Sequence, residues 1–224
     1  MNPKAIDYFS IGHPLRGLAS RISYRVRRRI FDLFMEVMAP TPSCRVLDVG
    51  VTPDHTLIES NFFERFYPYK KQLVTTGIED ASFLEREYPG CFFVWASGEA
   101  LPFIDDAFDI VFCSAVLEHV GGYTRQRDFV SELLRVSRHF FLTTPNRQFP
   151  VEFHTILPFI HWLPQHIHRA ILRGIGLEFW SQTKNLNLLT PGKLIDLFPP
   201  EVELSIYKYR LLGMPSNLVA WGNC

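Results

Sequence analysis

Val46-Leu47-Asp48-Val49-Gly50 is an apolar run that carries one acid and stops at a glycine. Together with Arg45 it reads as a buried parallel strand over 45–49, since short apolar runs bounded by turn residues have that character. Glycine lets the chain turn sharply and lets backbone approach a ligand closely. Open α/β sheets bind ligands outside the carboxyl ends of their strands, so the turn after Val49 is the place to seek a site. Outward from it, Leu73–Ile78, Cys91–Trp95, Asp109–Ser114 and Phe140–Thr144 read as further strands, the last stopped by Pro145. Residues 126–137 read as a helix from the spacing of Phe129, Val130, Leu133, Leu134 and Val136. Strands that alternate with helices predict a parallel sheet with helices on its faces.

Upstream, residues 15–38 read as a helix ended by Ala39-Pro40. Downstream, Thr190 caps a short helix over 191–198 with Pro191 at its first position. Two strands near 202–209 and 216–221 follow, as a hairpin that closes one edge. Between Phe149 and Trp180 the pattern breaks: Pro150, Pro158 and Pro164 interrupt any regular element, and four histidines and two tryptophans crowd the stretch. This segment is expected to be a lid over the carboxyl edge of the sheet. The organisation is therefore an N-terminal helical segment (1–42), an α/β core (43–147), a lid or acceptor-binding insertion (148–190), and a C-terminal helix with edge strands of the same domain (191–224).

The composition suits this. Of 224 residues, 47% are hydrophobic and 21% charged, which fits a globular protein with a sizeable core. The formal net charge is zero, which does not favour nucleic acid as partner. The 20 phenylalanines imply either an aromatic core or a large apolar surface for an acceptor. Cys44, Cys91, Cys113 and Cys224 form no CxxC pair, so a reducing, cytoplasmic setting without disulfides is expected. The longest uncharged apolar run, Thr155 to Pro164, is about half of the roughly 20 residues that span a bilayer. Arg16, Arg21, Arg25, Arg27, Arg28 and Arg29 crowd the first helix. They read as a solvated basic face, with peripheral contact to an anionic membrane as the alternative.

Several acids and small residues fall at strand ends. Asp48 can hold a cationic amino group. Glu79, in Gly77-Ile78-Glu79, can accept both hydroxyls of a ribose, as the acid after the second strand does in dinucleotide folds. Ser97-Gly98 follows the third strand, Ser114 ends the fourth, and Leu117-Glu118-His119-Val120 comes next. The series VLDVG (46–50), GIE (77–79), GEALPF (98–103), FDIV (108–111), LEHV (117–120) and TTPN (143–146) resembles the S-adenosylmethionine (SAM)-dependent methyltransferases of the type 11 group, over roughly residues 43–147. The resemblance implies a Rossmann-like, doubly wound, seven-stranded sheet with one antiparallel edge strand. It implies SAM as cofactor, with Asp48 and Gly50 at the methionine part, Glu79 at the ribose, Ser97 and Gly98 at the adenine, and Ser114 in the same pocket. Two positions depart from the family pattern. Its GxGxG loop runs here Gly50-Val51-Thr52-Pro53-Asp54, so a re-routed loop with Asp54 capping the next helix is expected, and Ser97 stands where an Asp is common.

Transfer of a methyl group needs an aligned nucleophile and exclusion of water. His119, oriented by Glu118, is the first candidate base, and His154 the second. Glu152 and His154 alternate with Val151 and Phe153, so both can face one side and meet an acceptor. Some RNA and quinone methyltransferases resemble the LEHV stretch and use Glu-x-x-Glu-His for a metal. Ala115 replaces the first Glu here, and no metal is expected. The acceptor is expected to be a small molecule, a glycan or a lipid-linked compound. The alternative readings are a methyltransferase-like protein without transfer activity, suggested by the altered loop, and a nicotinamide-dependent reductase, which would need the missing GxGxxG.

Overall fold

A computed structural model describes residues 16–54 and 57–224. Leu15 and the side chain of Arg16 lie outside the described residues. In chain order the elements are α1 (Arg16–Met38), β1 (Val46–Val49), α2 (Phe62–Phe66), β2 (Leu73–Gly77), α3 (Leu84–Glu87), β3 (Phe92–Trp95), β4 (Phe108–Ser114), α4 (Tyr123–Val136), β5 (Ser137–Pro145), β6 (Val151–Glu152), β7 (Leu157–Pro158), α5 (Gln165–Gly174), α6 (Pro191–Ile195), β8 (Glu203–Leu211) and β9 (Met214–Asn223).

Seven strands form one sheet in the order β3-β2-β1-β4-β5-β9-β8. The first five are parallel, with Val46 opposite Leu73 on one side and Ile110 on the other. β9 runs antiparallel to β5, and β8 pairs with β9 as the expected closing hairpin. The antiparallel strand thus sits one place in from the edge. The strand order reverses between β1 and β4, which puts the ligand crevice of a doubly wound sheet beside the β1 turn.

Most of the described phenylalanines go to the core, while Phe92 and Phe159 are exposed. Under α1 and α2, Phe63 stacks on Phe112 at 4.1 Å, and Phe34 meets the edges of Phe112 and Phe141, both at 5.4 Å. The opposite face packs Phe129, Val130, Leu133 and Val136 of α4 with Leu194 of α6 against β4 and β5. α4 begins at Tyr123 and runs straight into β5 at Ser137, so the strand starts three residues before the apolar run suggests. Thr190 caps α6 as expected, its Oγ1 accepting the Lys193 amide at 3.4 Å, though the α-helix ends at Ile195.

The insertion is more structured than its prolines suggest. β6 and β7 form a two-residue ladder, α5 follows Pro164, and Leu172, Trp180, Leu186 and Leu188 make a small core of their own. Asn187 stitches this unit to the sheet: its amide donates to the Glu118 carbonyl at 2.7 Å and its side chain to the Gly121 carbonyl at 2.8 Å.

Candidate active site

A cavity of about 440 Å³ opens at the carboxyl ends of β1, β2, β3 and β4. Asp48, Gly50, Glu79, Ser97, Gly98 and Ser114, expected at the cofactor, all line it, as do His119 and His154. Four chain turns separated by up to 66 residues in sequence are brought to one wall because each follows a strand of the same parallel set.

The β1 turn has its own route. Gly50 has φ +111°, and a Cβ there would fall 2.1 Å from Val116 Cγ2. Glycine is required by the turn and by the neighbouring loop. Beyond it, the Asn61 side chain clamps Thr52 from both sides: its Oδ1 accepts the Thr52 amide at 3.0 Å and its Nδ2 donates to the Thr52 carbonyl at 2.8 Å. The Thr52 Oγ1 accepts the Asp54 amide at 3.3 Å. Asp54 Oδ2 accepts the Leu57 amide at 3.1 Å and the Ser60 hydroxyl at 2.5 Å. Asp54 therefore ties the turn over 57–60, and Asn61 rather than Asp54 stands at the start of α2. Thr52→Gly is accordingly expected to leave SAM affinity unchanged or lower it, because a glycine adds unfolded-chain entropy without opening space. Calorimetric titration of the variant checks this, and a clear gain in affinity would contradict it.

Asp48 is buried and faces Glu64 of α2, which is fully buried. Burial raises both carboxyls, and the nearness of Glu64 pushes Asp48 further, well above the ordinary range. Both acids therefore favour the neutral form more than free carboxyls do. Arg27 of α1 lines the same cavity, donates to the Glu59 carbonyl at 3.0 Å and lies over the Phe62 ring at 5.3 Å. One member of the basic helix thus turns inward, while Arg28 pairs with Asp32 on the surface at 3.1 Å. At the other end of the cavity Arg125 holds Glu99 with two hydrogen bonds, of 2.7 and 2.6 Å.

The histidines meet at the lid side. The His119 and His154 rings lie 4.8 Å apart, edge to face, and Trp180 covers His154 at 5.0 Å. His119 Nδ1 bonds the Asn185 carbonyl at 2.6 Å, so Asn185, not Glu118, orients it; Glu118 Oε1 stands 3.9 Å from its Nε2. Burial, and then the neighbouring His154, pull the His119 pKa to about 3, which leaves it a neutral ring and a poor proton acceptor. His154 is the more basic of the two. Burial lowers it, but the charge and hydrogen bond of Glu152 outweigh burial and raise it.

Glu152, expected to touch an acceptor, stands behind His154 and is not on the cavity wall. Its Oε1 accepts the His154 Nδ1 at 2.6 Å and the His154 amide at 2.9 Å, and its Oε2 accepts the Thr155 amide and hydroxyl at 2.7 and 2.8 Å. Burial pushes this carboxyl up, yet His154 and these bonds hold it at about 2. The alternation of Glu152 and His154 does bring them together, through a turn. A smaller pocket of about 80 Å³ adjoins the main cavity beneath α1, sharing Arg27, Ser114, Ala115 and His154 with it and adding Ser20, Ser23 and Asn217.

Comparison with known proteins agrees with this geometry. The family profile described as "Methyltransferase domain" matches residues 69–139, from just before β2 into β5. The β1 turn lies outside the matched stretch. No curated protein sequence matches the chain. Among solved structures, the PH0226 protein of Pyrococcus horikoshii superposes with a TM-score of 0.59 at 16% identity, covering 97% of this chain and 94% of its own. The YcgJ protein of Bacillus subtilis gives 0.58 at 15%, covering 88% and 98%. Magnesium protoporphyrin IX methyltransferase of Synechocystis, with S-adenosylhomocysteine (SAH) bound, gives 0.57 at 12%, covering 96% and 90%. The chain thus has the fold of these structures, and residues 69–139 within it match the methyltransferase-domain family, with the crevice at the switch point of the sheet.

Proposed function

We propose that the cavity holds SAM with its amino group at Asp48, its ribose at Glu79 and its adenine by Ser97 and Gly98, and that the methyl group points toward Ala115 and His154. The smaller pocket under α1 then receives the acceptor. The observation that carries this reading is that the two pockets meet at Ser114, Ala115 and His154, leaving His154 at the crossing point with His119 beside it in the main cavity. A hydroxyl or amine acceptor loses a proton on methylation, and the cluster of Glu118, His119 and His154 is the polar group at that point. Trp180 and Phe153 shield it from water on the lid side. The acceptor pocket is lined by Ser20, Ser23, Glu59 and Asn217. Hydroxyl, carboxyl and amide groups of this kind suit a polar small molecule or the sugar part of a glycan or lipid-linked acceptor. No helix among the described residues is long and apolar enough to cross a membrane.

Two titrations test the cofactor assignment. SAM or SAH should raise the melting temperature of the protein while nicotinamide dinucleotides should not. Glu79→Ala should weaken SAM binding by about 1–3 kcal/mol through loss of charge-assisted bonds to the ribose. Unchanged affinity in a folded Glu79→Ala protein would remove Glu79 from the site.

A further inference from the structure

The expectation of no metal rested on Ala115, which breaks a local ligand pattern on one loop. The structure supplies a ligand from elsewhere. One carboxylate oxygen of Glu118 and one ring nitrogen each of His119 and His154 all lie within 4.8 Å of one another. Two atoms bound to one ion at about 2.1 Å are at most about 4.2 Å apart, so the three close onto an ion by shifts of roughly an ångström.

Each ligand is held from behind. His154 Nδ1 is bonded to the Glu152 carboxylate at 2.6 Å and His119 Nδ1 to the Asn185 carbonyl at 2.6 Å. A carbonyl or carboxylate only accepts, so each Nδ1 carries the hydrogen and each ring presents Nε2 as its lone-pair nitrogen. This is the outer-shell arrangement that fixes the tautomer of metal-bound histidines. Glu118 gives the independent sign. Its Oε2 accepts the Thr144 hydroxyl at 3.0 Å, but its Oε1, fully buried, has no hydrogen-bond partner among the described residues. A buried carboxylate oxygen left bare costs free energy unless something positive meets it.

We propose that Glu118, His119 and His154 bind one divalent transition-metal ion of the zinc class, with an open position facing the acceptor. Two imidazoles and one carboxylate with a vacant site form a donor set that such ions take in catalytic centres. The inference rests on the acceptor reading above and narrows it to an oxygen acceptor. A hydroxyl that fills the open position gives its proton to solvent, since a bound ion lowers the pKa of a ligated O–H. The oxygen then attacks the methyl carbon. The new O–C bond forms as the C–S bond breaks, its electron pair going to sulfur, and a methyl ether and neutral SAH result. The charge of the ion does not change.

The test uses the full chain stripped with a chelator, titrated with Zn²⁺ alone by calorimetry, with SAH affinity measured on the same sample. One Zn²⁺ per chain should bind, His154→Asn and Glu118→Gln should each weaken it by about a hundredfold or more, and Glu152→Gln by about 10–100-fold. Retained SAH affinity shows that each variant is folded. Stripped protein that takes up no zinc, or takes it up equally well as His154→Asn, overturns the ion site. The SAH titration then tells whether the cofactor reading stands without it.

Discussion

His154→Ala is expected to lower turnover at saturating substrates by about 10²–10⁴-fold, the range of a group on which removal of the acceptor's proton depends, whether the ring takes it or holds the ion that acidifies the acceptor, while SAM affinity stays within a few-fold of the parent. The side chain lies where the two pockets join and is not among the residues proposed to anchor the cofactor, so its loss is expected to touch the acceptor step rather than cofactor binding. Destabilisation is contained. Without the ring, Glu152 still accepts the amide of residue 154 at 2.9 Å and both bonds from Thr155, so three of its four partners remain. Turnover and SAH binding, measured side by side once an acceptor is in hand, separate the two effects. A loss of less than about tenfold would mean that transfer proceeds by proximity and desolvation alone. His154 takes precedence over His119 here because burial and the neighbouring ring keep His119 neutral, near a pKa of 3.

The sheet was legible in the residues because each strand announces itself locally. VLDVG, FDIV and the run to Pro145 are short, apolar and stopped by a turn residue, and the acid or small residue at each end needs only the parallel topology to reach the crevice. The candidate site was less legible on the side where contacts are not local. Glu64 sits in a five-residue helix whose sequence, FFERF, gives no sign that its carboxyl turns under Asp48. Arg27 is one arginine among six on α1, and which one turns inward depends on how that helix crosses α2. The Asn61 side chain holds the backbone of Thr52, 9 positions away, and the Asn185 backbone carbonyl holds the His119 ring, 66 positions away; neither contact leaves a periodic signal. The pairing of Glu152 with His154 was foreseeable, since both lie in one short segment. Glu118 and His119 could be grouped with them by residue type as possible ligands, but not placed beside them, because β5 intervenes.

The acid pair makes the remaining large prediction, and its sign is opposite for stability and for binding. Asp48 and Glu64 are both raised by burial above their unfolded values, and Asp48 is raised further by Glu64. A carboxyl raised in the folded state costs nothing below its unfolded pKa, and costs progressively more as pH climbs toward the folded one. Free protein should therefore lose stability through this pair as pH rises above the ordinary carboxylate range, and Asp48→Asn should recover it, with a larger gain in melting temperature at pH 8 than at pH 5. Binding goes the other way. An ammonium of SAM placed beside Asp48, as proposed, would favour the charged carboxylate, so proton release on binding and an affinity that rises with pH are expected. Asp48→Asn removes one partner of a buried ion pair, which costs about 3–5 kcal/mol, a loss of at least a hundredfold. Calorimetry in two buffers of different ionisation enthalpy reads the released proton directly. An asparagine variant that is both less stable and unchanged in SAM affinity would make Asp48 a structural acid. A variant that is more stable yet nearly blind to SAM shows a carboxylate kept buried, at a cost in stability, to meet the cofactor's charge.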